Sequence, residues 1–133
     1  MPSNTSYADV VAGVRAAIAA YAQALDDGRI HDVVATFCKD GSCDIPGMGA
    51  HEGHDALRAA FDKVKPRAPQ RHVVVNTLVT EWDAHNAKAT SDLVFLFKGD
   101  AGWAVALVGR YRDVLRNDDG TWRFVRRVAE FVS

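Results

Sequence analysis

The stretch that most restricts how this chain can fold is Arg71-His-Val-Val-Val-Asn-Thr-Leu-Val-Thr-Glu-Trp82. It is dense in Val and Thr, preceded by Pro66 and Pro69, followed by Asp83-Ala84-His85-Asn86, and free of helix caps, so it reads as a long β-strand. Alternate residues of a strand face opposite sides. His72, Val74, Asn76, Leu78 and Trp82 are therefore predicted to share one face, and Val73, Val75, Thr77 and Val79 the other. Both faces are mostly apolar and must be covered. One of them also carries an imidazole and a carboxamide, as the wall of a pocket would.

Before this strand the periodicity is helical. Val11, Val14, Ile18, Tyr21, Ala22 and Leu25 recur at helical spacing between Tyr7 and Asp27, with alanines supplying propensity and Gly28 at the C-cap position. Residues 1–6 are expected to be a loose tail. A short second helix is predicted from Arg29 to Phe37, a turn at Lys39-Asp40-Gly41, a short strand from Ser42 to Ile45 and an irregular loop at Pro46-Gly-Met-Gly49. A third helix is predicted from His54 to Lys65. After the long strand come three more, about 87–98, 103–116 and 121–131, the last two joined by the hairpin signal Asn117-Asp-Asp-Gly120. Helices first and strands later argue an α+β domain in which three N-terminal helices pack on a curved, mainly antiparallel sheet. No repeat or composition break divides the 133 residues, which are expected to form a single domain.

Charge narrows the partners. A formal net charge of −1 gives no electrostatic case for nucleic acid or an anionic membrane. The basic residues between Arg110 and Arg127 are interrupted by Asp113, Asp118 and Asp119. No apolar run reaches the length of a membrane span, and Met-Pro-Ser-Asn-Thr-Ser has no signal-peptide pattern, so a cytoplasmic location is expected. Cys38 and Cys43 sit beside Phe37 and Ile45 and read as buried thiols.

Several residues could carry chemistry. Asp26 lies in the last turn of the first helix, where the dipole disfavours an anion, so it is either solvated like Asp27 or held by a partner. His72 is a satisfied core histidine or a pocket base. Tyr21 fits the apolar stripe, yet its hydroxyl needs an acceptor when buried. Asn76 is expected to face the same way as His72, Asp92 interrupts an apolar strand and must be paired or at an edge, and only one of Arg126 and Arg127 can point inward. Met48 would be an adaptable apolar tip over a pocket. His51-Glu-Gly-His54-Asp55 offers ligand atoms but matches no established zinc spacing, and loop polarity and capping are the better account. No metal or other cofactor is expected.

Taken together, Ala20-Tyr-Ala-Gln-Ala-Leu-Asp-Asp-Gly28, Val34-Ala-Thr-Phe37 with Asp40-Gly41, Gly53-His-Asp-Ala-Leu57, Arg71-His-Val-Val-Val-Asn76 and Asp119-Gly-Thr-Trp-Arg-Phe-Val-Arg-Arg127 resemble a SnoaL-like member of the nuclear transport factor 2-like superfamily. The resemblance implies a cone-shaped α+β barrel with a pocket between helices and sheet. Tyr21, Asp26 and His72 resemble the catalytic residues of bile-acid 7α-dehydratase. Asp26 and His72 also resemble the dyad of γ-hexachlorocyclohexane dehydrochlorinase, with Asp92 and Arg127 as further matches. Tyr21 is placed like the oxyanion tyrosine of ketosteroid isomerase, but Ile45 stands where that family has its catalytic aspartate.

The expected activity is a cofactor-independent lyase of dehydratase or dehydrohalogenase type acting on a small hydrophobic organic substrate. His72, Asp26 and Tyr21 would be catalytic, with Asn76, Asp92, Arg127 and Met48 binding substrate. A non-catalytic small-molecule binder, an isomerase and a polyketide cyclase are alternatives on the same fold. The apolar outer face of the strands predicts a homodimer or homotrimer.

Overall fold

The computed structural model describes residues 4–132. Among these, three helices and six strands follow in the order α1 (Tyr7–Asp26), α2 (Ile30–Ala35), β1 (Phe37–Ile45), β2 (Gly49–Glu52), α3 (His54–Asp62), β3 (Gln70–Trp82), β4 (Asn86–Gly99), β5 (Gly102–Asp118) and β6 (Thr121–Phe131). The strands form one curved sheet, not closed, in the order β2-β1-β6-β5-β4-β3. Pairing is antiparallel except between β1 and β6, which run parallel. The helices pack on one face, giving the expected α+β cone.

The first helix begins at Tyr7, as its periodicity predicts, but its start is held more firmly than a loose tail through Ser6 would allow. Residues 1–3 lie outside the described residues, but Ser6 caps α1: its hydroxyl accepts from the Asp9 N–H while the Asp9 carboxylate accepts from the Ser6 N–H. Among described helices α1 is long and apolar enough to cross a membrane by length and composition. Val10, Val14, Ile18, Tyr21 and Leu25, however, are buried in the core with Val33, Val34, Phe37, Leu57, Phe61, Leu115 and Phe124, which makes it a core helix. It presses closest at Gly13, where a Cβ would fall 2.2 Å from Cδ1 of the buried Trp122. Gly13→Ala is therefore expected to destabilise by about 1–3 kcal/mol in urea melts, because overpacking outweighs the better helix propensity of alanine.

Three local expectations are corrected. Lys39-Asp40-Gly41 is not a turn but part of β1, whose pairing with β6 is irregular between Phe37 and Ser42. Gly41 sits where a Cβ would be 2.8 Å from the Phe124 carbonyl oxygen. The loop after Pro46 is shorter than expected, because residues 49–52 form β2, a hairpin partner of β1 turned through positive-φ Gly47 and Gly49. Helix α3 ends at Asp62, with Lys63 as its C-cap.

The fourth correction bears on the site. Strand β3 does not alternate cleanly, because Val75 pairs with Asp92 and Leu78 with Thr90, so one residue of β3 is extra. This is a β-bulge, and Asn76 takes a left-handed φ of 55° there, a conformation asparagine tolerates. The bulge turns Thr77 and Val79 inward and Leu78 outward. A second irregularity between Val79 and Glu81 restores the original phase, so Trp82 returns to the helix side and packs its ring 5.6 Å from that of Tyr7.

Candidate active site

Asp26 occupies the last turn of α1 beside β3, the free edge of the sheet. The backbone N–H of His72 points off that edge and would lack a partner. It donates to Asp26 Oδ2 at 2.7 Å. Asp26 Oδ1 accepts from Gln70 Nε2 at 3.1 Å and lies 2.6 Å from His72 Nδ1. Burial works to raise the Asp26 carboxyl, but the hydrogen bonds from the His72 ring, the His72 backbone and Gln70 outweigh it and hold the group below its usual value. These donors offset the unfavourable end of the helix dipole. They also fix the tautomer: an ionised Asp26 accepts a hydrogen bond from Nδ1–H of His72, leaving the lone pair on Nε2.

The His72 ring stacks at 4.6 Å on Phe95 and forms part of the wall of a cavity of about 190 Å³. Leu25, Phe61, Leu93, Phe95, Leu107 and Phe131 give the cavity its apolar surface, and Pro46, Gly47 and Met48 close one end. Tyr21 and Tyr111 stand in the same wall, both buried, with their ring centroids 6.2 Å apart and nearly perpendicular. Burial raises both phenols, Tyr21 well above its ordinary value, so they are neutral donors at physiological pH. An imidazole, two phenol hydroxyls and an apolar surround thus meet in one small pocket.

Arg127, the inward member of the arginine pair, is fully buried behind this wall rather than in it. Its guanidinium lies 3.5 Å from the Tyr111 ring centroid, 4.3 Å from that of Tyr21 and 4.5 Å from that of Phe124. Its counter-ion is Asp113, with Nε 3.1 Å from Oδ1, and neither side chain is exposed. The pair is held by charge more than by hydrogen bonding. The contact that satisfies hydrogen-bond geometry, Nη2 to Oδ2, is 3.4 Å long, and Arg127 Nη1 has no acceptor among the described residues. Burial pushes the Asp113 carboxyl up to about 6 despite the neighbouring cation.

The structure thus brings His72, Asp26, Tyr21 and Met48 together and sets Arg127 one layer back. Asn76 and Asp92 are corrected. The bulge carries Asn76 out of the pocket, and its amide donates at 2.8 Å to Asp92, whose other oxygen accepts from Arg110 at 2.9 Å. Both belong to a partly exposed polar cluster away from the cavity. Asn76 instead lines a separate groove between α1 and β3, with Arg15, Gln23 and the other side of His72. Sequence reading missed Tyr111, Gln70 and Asp113. The signal for two of them was the run Arg110-Tyr-Arg-Asp113, in which Tyr111 and Asp113 alternate against two exposed arginines.

His51 and His54 are spent locally. Their Nε2 atoms meet the carbonyl oxygens of Met48 at 2.7 Å and Phe37 at 2.9 Å. Among the described residues no group of three His, Cys, Asp or Glu side chains converges to hold a metal ion. Cys38 and Cys43 are free, buried thiols.

With this geometry in hand, comparison with known families is decisive: the profile of the SnoaL-like domain matches residues 7–128. The chain belongs to the SnoaL-like domain family. No curated protein matches it in sequence. Solved structures share its fold. Rv3472 of Mycobacterium tuberculosis, a protein of unknown function solved as a single-substitution variant, superposes with a TM-score of 0.87 at 24% identity, covering 98% of this chain and 78% of that one. A protein of Catenulispora acidiphila in complex with S-DNPA gives 0.83 at 25% identity, covering 93% and 94%. A protein of Novosphingobium aromaticivorans provisionally assigned as a scytalone dehydratase gives 0.82 at 18% identity, covering 93% and 85%. This SnoaL-like domain carries an apolar pocket of small-molecule size.

Proposed function

We propose that this SnoaL-like protein is a cofactor-independent lyase that removes a proton from carbon in a small, mostly apolar substrate and expels a β leaving group. The observation that carries the reading is the 2.6 Å contact between Asp26 Oδ1 and His72 Nδ1 at the wall of an apolar cavity. His72 Nε2 takes the proton, and the C–H electron pair becomes the new C=C bond. The C–X bond breaks with its pair on X, a hydroxide or halide. Where X is hydroxide, the imidazolium returns the proton and water leaves. Asp26 stabilises the imidazolium while it exists, and Tyr21 donates to the substrate oxygen or the leaving group. A compact pocket lined by Phe61, Leu93, Phe95 and Leu107 suits a flat or small cyclic compound better than a long chain.

The first experiment is a panel of β-hydroxy and β-halo carbonyl compounds incubated with the protein in D₂O. Elimination product, or deuterium at the acidic carbon, is expected with wild type and not with His72→Ala. A pocket that binds members of the panel tightly while neither exchanging nor eliminating would make the protein a non-catalytic binder. The proximity of Asp26 to His72 favours catalysis over that alternative, since simple binding needs no oriented imidazole. The free thiols Cys38 and Cys43 suit a cytoplasmic setting.

The same reading includes self-association. Val73, Val94 and Val108 pair across three neighbouring strands on the outer face, beside Val75, Leu78, Val105 and Trp103, and all of these except the half-buried Val94 are at least 39% exposed. A homodimer or homotrimer that covers this patch is the expected state. Light scattering at micromolar concentration should give a multiple of 14.5 kDa, and Val94→Lys should shift it toward one chain. A monomeric wild type would refute this.

A further inference from the structure

The pocket's two tyrosines rest on a charge that no pocket residue exposes. Arg127 lies against the ring faces of Tyr111 and Tyr21, at 3.5 and 4.3 Å, and cannot reach the cavity because those rings stand between. We propose that Arg127 is a positioning residue that acts through Tyr21 and Tyr111, its buried charge making their hydroxyls a two-donor cradle for a developing oxyanion, with Asp113 setting how much of that charge they feel. This rests on the proton-abstraction reading above and makes it more specific. The substrate's acidic C–H would be adjacent to a carbonyl, whose oxygen sits between the two hydroxyls while His72 faces the proton.

The physical reason lies in the sign and place of the charges. A buried guanidinium held only by an imperfect pair with Asp113 is screened by neither water nor a full set of hydrogen bonds, so its field reaches the adjacent phenol oxygens. It favours negative charge there, and a hydroxyl whose oxygen tolerates negative charge donates more strongly. Asp113 opposes the effect more weakly. The remaining groups that influence the two phenols are the Cys43 thiol, which is buried and un-ionised at neutral pH, and the Asp26 carboxylate on the far side of the site. A structural pair alone would need no tyrosine rings on both sides. Aliphatic packing would serve it equally well, and a neutral pair of the same shape would stabilise the core as much.

The test reads the tyrosines directly. The chain contains three: Tyr7, half exposed and remote, is the internal reference, and Tyr21 and Tyr111 are the probes. Protein labelled with 3-fluorotyrosine is titrated by ¹⁹F NMR, with resonances assigned by single Tyr→Phe variants. Asp113→Asn leaves Arg127 uncompensated and is expected to lower the Tyr21 and Tyr111 midpoints by about one pH unit, tenfold in the ionisation constant, without moving Tyr7. Asp113→Asn/Arg127→Met removes both charges and is expected to return the midpoints to the wild-type value or above. Midpoints that fail to come down in Asp113→Asn, or that come down equally in the double variant, overturn the proposal. If Asp113→Asn does not fold, the double variant against wild type still decides, since a fall there is equally fatal. No substrate is needed, so failure here leaves proton abstraction by His72 standing. Conversely, an inactive panel leaves the titration result intact.

Discussion

His72→Ala is expected to lower kcat/KM for any substrate this pocket turns over by about 10²–10⁴-fold, the usual worth of a positioned general base, while the protein stays folded. The fold should survive because the imidazole fills an edge of the cavity, and the backbone N–H that ties β3 to α1 belongs to the main chain and remains. The loss should fall on kcat, since the ring contributes to proton transfer more than to holding apolar substrate. Asp26→Asn separates orientation from basicity. The amide keeps an oxygen for one donor but presents N–H₂ where the carboxylate had its second acceptor. If that N–H₂ faces Nδ1, the His72 proton is forced onto Nε2 and the base is lost. A loss approaching that of His72→Ala, with KM little changed, is the expected result. A His72→Ala enzyme as fast as wild type in a clean preparation would reject proton abstraction by this residue.

The same variant carries a stability cost that differs from that of His72→Ala. Because its hydrogen bonds hold the Asp26 carboxyl below its unfolded value, the stability it contributes is present above the unfolded pKa and is lost as pH falls through the folded one. Asp26→Asn should therefore be less stable than wild type at neutral pH, and the difference should close in acid.

How much of this was legible from the sequence depended on whether local pattern or register carried the information. The helical stripe of α1, the long valine strand and the hairpin at Asn117–Gly120 are local patterns, and the first two place site residues. Tyr21 and Asp26 follow from the stripe, and His72 follows from the strand. The expectation for Asn76 failed at a bulge. Strict alternation puts Asn76 beside His72, and a single extra residue in β3 puts it outside. The Asp113–Arg127 pair was hidden in the same way. Counting back from the hairpin turn sets Asp113 opposite Arg126, and the register shift between Val114 and Leu115 moves it to Arg127. Nothing in the composition of either strand marks these shifts, because a bulge is tolerated by many residue types and selected by the curvature of the whole sheet. The strand β2 was invisible for a different reason. Gly-Ala-His-Glu has little β-propensity and exists as a strand because β1 offers it an edge.

The largest stability effect should come from splitting the buried pair. Arg127→Met leaves the Asp113 carboxylate in a core that gives it no water and no cation, and removing one partner of a buried pair typically costs about 3–5 kcal/mol. Asp113→Asn/Arg127→Met removes both charges and keeps most of the volume, so in urea melts at pH 7 it should be markedly more stable than Arg127→Met and close to wild type. The two variants should also differ in pH dependence. Burial raises the Asp113 carboxyl above its unfolded value even in the wild type, to about 6, so the folded chain binds this proton more readily than the unfolded one. Any stability from that proton is fully present below the unfolded pKa and is lost as pH rises through the folded one. Without Arg127 the carboxyl moves further in the same direction, because the attraction that favoured its ionised form is gone. The deficit of Arg127→Met should therefore be greatest at pH 7 and above and shrink as pH falls toward 5, where a protonated Asp113 is an ordinary buried polar group. The double variant, with no titrating group at that position, should show no such slope. An Arg127→Met deficit that is the same at pH 5 and pH 8 would mean that lost packing, not the stranded charge, is what destabilises it.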